Sequence, residues 1–311
     1  MENLILSVNV VLPLFLLMAA GYITKQLKLY DKQAHTVMNR LVFRLFLPML
    51  LFKNIYQTNL NTEFNGKVFI FAVVSVLLMF GLLFAVIPLI EKDNRRRGVL
   101  IQGIGRSNFV IFGMPMAETL CGGNMATTSL LVAIVVPMFN VLSVIALEVF
   151  RGGKIDVKKI LLGIVKNPLI IASLLGFIFL LAGIRLPAPI EKAVVDLAGI
   201  ATPFALFLLG GALEFSRVGG NLRPLLIGVT GRLIVMPAIF ITAAVLLGFR
   251  DVELVSMMVL FMAPSAVSSY TMAQQMGGDG ELAGQQVVFT TAFSIFTIFL
   301  IVLLVKNLGL I

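Results

Sequence analysis

An all-α membrane protein of ten transmembrane helices, arranged as two inverted five-helix repeats with helices 4 and 9 broken, is the fold class this sequence predicts. Three observations predict it. Of 311 residues 59% are hydrophobic and 13% charged, with a mean hydropathy of +1.04. A chain so poor in polar residues cannot cover a water-facing surface, so lipid is its solvent. Apolar stretches long enough to cross a bilayer, about 20 residues each, recur ten times, and a shift of 155 residues superimposes landmarks of the first half on the second.

The same totals exclude whole classes of function. One histidine, His35, and one cysteine, Cys121, cannot form a zinc cluster, a disulfide framework or a Cys/His catalytic pair. With paired carboxylates also scarce, neither an enzyme nor a resident cofactor is expected. The net charge of +9 could suggest nucleic acid, but the positive residues sit in short loops between apolar runs, which is a topology signal.

The expected spans are residues 4–24, 34–56, 66–90, 98–121, 126–148, 160–182, 193–214, 224–248, 253–276 and 282–305. Span 1 lacks a basic n-region before it and is longer than a signal peptide's apolar core, so a retained helix is expected. Span 2 carries Leu47-Pro48. Span 3 is apolar without interruption over 68–83, which excludes the alternation of a lipid-facing barrel strand. Span 5 contains Pro137 and Asn140, a packed kink; span 6 carries Asn167-Pro168; span 7 carries Gly210-Gly211, small enough for close helix contact.

Lys25, Lys28, Lys32, Lys92, Arg95, Arg96, Arg97, Arg151, Lys154, Lys158, Lys159, Arg217 and Arg223 follow odd-numbered spans. They outnumber Lys53, Lys67, Arg185, Lys192, Arg250 and Lys306 on the other side. Basic loops stay in the cytoplasm, so both termini are expected outside the plasma (inner) membrane.

The shift by 155 residues lays Pro13-Leu14 on Pro168-Leu169, Gly21 on Gly176, Pro48 on Pro203, Phe52 on Phe207 and Gly122-Gly123 on Gly277-Gly278. One register across more than a hundred residues predicts two repeats, 1–151 and 154–311, parted near Gly152-Gly153. With five spans each, an odd number, the second repeat enters the membrane upside down, an arrangement suited to alternating access.

Spans 4 and 9 hold matching places in the repeats, and each has polar residues and a proline near mid-membrane: Arg106, Ser107, Asn108 and Pro115 in one, Pro264, Ser265, Ser268 and Ser269 in the other. Proline removes a backbone donor and clashes with the preceding turn, so each helix is expected to unwind. Half-helix N-termini near Pro115 and near Pro264 and Ser265 then point partial positive charge at the midplane, where a carboxylate is the natural ligand. The structural alternative is a benign kink patched by Ser and Asn side chains.

Gly21-Tyr22 before a basic loop, Leu47-Pro48, Asn108 through Gly113-Met114-Pro115, Asn167-Pro168 and Ala263-Pro264-Ser265 through Ser269, in that order over nearly the whole chain, resemble the auxin efflux carrier family. The resemblance implies a ten-helix inverted-repeat carrier with scaffold and transport subdomains, each built from both repeats. It implies substrate at the crossing of spans 4 and 9, and homodimers through the scaffold. It points to the compact prokaryotic members described as permeases for malate, malonate and related acids.

Asn108 is the first candidate for substrate contact, and Ser265, Ser268 and Ser269 the second. Glu118 and Asp196 are candidates for proton or ion coupling, although Glu118 also suits a helix start and Asp196 a surface pair with Lys192. Arg44, Arg106 and Arg232 would form an anion vestibule if they converge, or reach for the interface singly if they do not. The expected partners are a small organic acid, lipid and a second copy of the chain. Two alternatives stay open: a sodium-coupled symporter of the bile-acid type, for which span 9 has hydroxyls but no acidic residue between Val255 and Gly278, and a passive anion channel or ligand sensor.

Overall fold

A computed structural model describes residues 2–58, 66–151, 157–213 and 219–311, and among them every extended regular element is helical. The repeat boundary near Gly152-Gly153, and Lys154 and Arg217 of the charge asymmetry, lie outside the described residues. In chain order the helices are α1 (Glu2–Gln26), α2 (Lys32–Leu41), α3 (Leu47–Tyr56), α4 (Gly66–Ile90), α5 (Asn94–Gly105), α6 (Met114–Leu120), α7 (Ala126–Val149) and α8 (Val157–Val165). They continue with α9 (Pro168–Leu181), α10 (Ala188–Ala212), α11 (Leu222–Thr230), α12 (Met236–Leu246), α13 (Asp251–Met262), α14 (Ser268–Gln275) and α15 (Gly280–Asn307).

Six stretches among the described residues are long and apolar enough to cross a membrane: Lys32–Tyr56, Gly66–Ile90, Thr127–Val149, Ala188–Ala212, Gly219–Leu246 and Gly280–Asn307. Shorter apolar helices cover Val11–Gln26, Phe109–Leu120 and Pro168–Leu181. Expected span 6 is not one helix. It divides into α8 and α9 because Pro168 cannot donate to the preceding turn, and Asn167 Oδ1 instead accepts from Leu169 N–H at 2.9 Å to start α9. Asp31, Asp93 and Asp279 cap α2, α5 and α15 in the same way.

Among the described residues three helices carry a wide π turn immediately before a proline: Val42–Phe46 ahead of Pro48, Phe109–Gly113 ahead of Pro115, and Gly231–Val235 ahead of Pro237. The proline ring collides with the carbonyl four residues back, and an extra residue in that turn moves the carbonyl aside without breaking the helix.

Packing divides the helices into two groups. One holds α1, α3, α9 and α10; the other is built from α4, α5, α7 and α11 to α15, and α1 also packs against α15 across the two. The α1–α10 pair is close enough that a Cβ on Gly21 would fall on the Phe207 carbonyl and one on Gly210 on the Met18 carbonyl. No side chain can yield there, since both obstacles are backbone. Gly210→Leu is therefore expected to lower stability by at least about 1–3 kcal/mol, the cost of overpacking, read as a fall in melting temperature of the detergent-purified protein. In α3 and α9, Phe52 stacks on Tyr56 at 5.4 Å and meets Phe179 edge-on at 5.4 Å. Outward faces carry Ile70, Leu78, Leu174, Ile178, Phe296 and Leu300, all exposed, and such apolar area suits lipid.

Candidate binding site at the helix crossing

The two expected interruptions exist and meet. α5 ends at Gly105, residues 106–108 are unwound, and helix resumes at Phe109; α13 ends at Met262, residues 263–267 are unwound, and α14 starts at Ser268. Ser107 and Ser265 pair in an antiparallel bridge. Asn108 N–H donates to the Pro264 carbonyl at 2.8 Å, and Ala266 N–H to the Arg106 carbonyl at 3.2 Å. An unwound segment at membrane depth exposes amide groups that cost several kcal/mol each when unpaired. Side by side, each break supplies partners for the other. Ser265 fastens the junction further: its hydroxyl donates to the Gly103 carbonyl at 2.6 Å, and its N–H to Thr290 Oγ1 at 3.2 Å.

Arg232, fully buried in the π turn that leads into α12, holds the carboxyl ends of both first half-helices. Its guanidinium donates to the carbonyls of Ala263 (2.7 Å), Ile104 (2.9 Å), Phe261 (2.9 Å) and Leu260 (3.2 Å). Helix C-termini carry about half a negative charge and orphan carbonyls. One arginine satisfies both sets at once, so a cation expected to draw substrate is fully occupied by backbone.

Arg106 sits differently. It is buried, and its guanidinium donates to Asn140 Oδ1 at 2.6 Å and contacts Met272 Sδ. Among the described residues it has no carboxylate partner. It lines a 280 Å³ cavity together with Ser107, Asn108, Phe109, Val110 and Ile111, the last three being the first turn of the resumed helix. First-turn N–H groups have no acceptor within their own helix, and they add partial positive charge to that of the arginine. Asn108 Nδ2 and Ser107 Oγ are buried without a hydrogen-bond partner. A buried donor without an acceptor costs about 1–3 kcal/mol, so the cavity is chemically incomplete as it stands.

The remaining residues named from the sequence are scattered. Ser268 lines the cavity; Ser269 is buried one residue on, its hydroxyl unpartnered. Pro115 stands six residues into the resumed helix, not at its start, because the π turn of Phe109–Gly113 absorbs its missing donor. Glu118 is exposed on α6 and does not line the cavity, and Asp196 pairs with Lys192 at 2.6 Å where both side chains are largely exposed. Arg44 is exposed on its π turn while Arg106 and Arg232 are buried. The three arginines do not form a common vestibule.

Five polar residues of the cavity wall are not among the ligands the sequence suggests: Lys53 and Asn54 at the end of α3, Ser107 in the break, Asn140 on α7 and Thr202 on α10. By sequence Asn140 reads as part of a kink and Lys53 as a topology marker. Only the position of Asn54 and Thr202 within apolar spans could have drawn attention to them. A second cavity, of 500 Å³, lies toward the opposite ends of the helices among Lys25, Lys32, His35, Arg95, Tyr270 and Gln274. At its wall, Asn39 of α2 donates to Gln274 of α14.

Helices of lipid-compatible length, two of them broken and joined to each other beside a polar cavity, are the build of an integral membrane protein. Residues 6–302 match the family described as "Membrane transport protein", and the chain belongs to it. It is 26% identical over 309 residues to "Putative malonate transporter" of Rhizobium meliloti (strain 1021), covering 96% of each chain. It is 24% identical over 301 residues to "Uncharacterized transporter" of Methanothermobacter thermautotrophicus, covering 94% of this chain and 96% of that one. The protein is a transporter and not an enzyme.

Proposed function

We propose that this chain is a secondary transporter that moves small organic anions of the malonate or malate kind across the plasma membrane by alternating access, with the carboxylate bound at the crossing of broken spans 4 and 9. The observation that carries the reading is the 280 Å³ cavity at the crossing, where, among the described residues, Arg106 has no acidic partner and the Asn108 amide has no acceptor. A carboxylate supplies what both lack. The name of the relative from Rhizobium meliloti supports the substrate class.

Ten spans in two inverted repeats, 1–151 and 154–311, are the topology that fits this function. Support comes from the antiparallel junction of Ser107 with Ser265 and from the left-handed glycines that close both broken spans, Gly122 (φ +58°) and Gly123 (φ +89°) in one and Gly277 (φ +83°) in the other. The group of α1, α3, α9 and α10 is the scaffold and dimer surface of this proposal, and the rest is the moving body. With the basic loops inside and both termini outside, the cavity beside Lys53 opens outward. The cavity beside Lys25 and Arg95 then faces the cytoplasm.

Purified protein in liposomes is expected to exchange external labelled malonate for internal malonate with saturation and without electrical conductance. Asn108→Ala is expected to reduce the exchange at least tenfold, the effect of losing one hydrogen bond to a charged group, about 1.5–3 kcal/mol. Unsaturable conductance in planar bilayers would support a channel instead, and exchange at wild-type rate in the variant removes Asn108 from the site.

A further inference from the structure

The two walls of the crossing cavity come from different helix groups, and each brings one cation. Arg106 belongs to the broken span; Lys53 belongs to α3, in the group of α1, α9 and α10. Among the described residues no aspartate or glutamate lines the cavity, and Lys53 has no hydrogen-bond or ion-pair partner. Its side chain is half-buried beside Asn54, which also faces the cavity. Two positive charges without an acidic partner among the described residues therefore line one cavity, where they repel each other unless an anion lies between them.

A ligand with one carboxylate can neutralise Arg106 and satisfy Asn108, but it leaves the opposite wall positive. A ligand with two carboxylates reaches both walls. We propose that Lys53 is the residue that selects for a second carboxylate, so that the number of negative charges on the substrate, more than its carbon skeleton, decides what binds. This rests on the reading of the crossing as a carboxylate site. The competing role for a lysine near a helix end is to extend its amine to lipid headgroups, and it makes no distinction between acids.

The test is competition binding on the full-length purified chain with two probes, malonate and propionate, for wild type, Lys53→Gln and Lys53→Arg. Lys53→Gln is expected to weaken malonate binding about 10–100-fold, as loss of a charge-assisted contact does, and to change propionate binding less than about twofold. The malonate preference of wild type then collapses. Lys53→Arg is expected to keep the preference, and its melting temperature, like that of Lys53→Gln, to stay near wild type because the lysine holds no other group in place. If Lys53→Gln weakens both acids equally, or neither, this inference is overturned while the carboxylate site stands. Wild-type protein that binds neither acid overturns the carboxylate site and this inference together.

Discussion

Arg232→Met is expected to give a protein that loses its melting transition in detergent or melts far below wild type, and that exchanges no substrate. Methionine keeps much of the volume but abandons the carbonyls of Ile104, Leu260, Phe261 and Ala263, all held by the guanidinium. Each orphaned acceptor costs about 1–3 kcal/mol, so the total exceeds what nearly all single substitutions cost. A lysine is not an adequate substitute at this position, because it has three donors on one nitrogen and cannot fork toward two helix ends; Arg232→Lys is expected to recover little of the loss. Thermal melts followed by size-exclusion chromatography check both variants, and a wild-type melt for Arg232→Met would show that the two helix ends hold without their common clamp.

Arg106→Gln is expected to leave a folded protein with malonate affinity lowered about 10–150-fold. Arg106 differs from Arg232 in what it holds: it donates to one side-chain oxygen, Asn140 Oδ1, and touches the Met272 sulfur. A glutamine amide can still serve Asn140. What it cannot supply is the charge, and a hydrogen bond to a charged group is worth about 1.5–3 kcal/mol. Equilibrium binding of labelled malonate, alongside a melting curve, reads the two effects apart. If affinity stays at the wild-type level while the melt drops, Arg106 is a packing residue and the anion binds elsewhere.

Much of this architecture is legible in the residues alone. Apolar length locates the helices to within a few residues, as with α4 at 66–90, and polar residues beside proline locate both interruptions, since few other reasons exist for Arg106, Asn108 and a cluster of serines at membrane depth. What hydropathy does not tell is direction. In a helix apolar on every side, periodicity no longer distinguishes the face toward a neighbour from the face toward lipid. Arg44, Arg106 and Arg232 therefore look alike in the sequence, although one is exposed, one lines a cavity and one binds backbone. Pro115 misleads for a related reason: a proline marks strain but not where the chain relieves it, and here the relief is a wide turn while the opening lies upstream at 106–108. Lys53 and Thr202 escape a sequence reading because a cavity between two helix groups depends on tertiary packing that no single segment records.

The wide turns ahead of Pro48, Pro115 and Pro237 each hold one residue more than a regular helix needs. One residue is worth about 100° around a helix axis. Three small insertions thus set the rotational phase of everything downstream of them, including the direction in which α3 presents Lys53. Deleting a single residue from such a turn would shorten the helix by only about 1.5 Å, yet it would swing a polar side chain from the cavity into lipid; the protein is far more sensitive there to azimuth than to length.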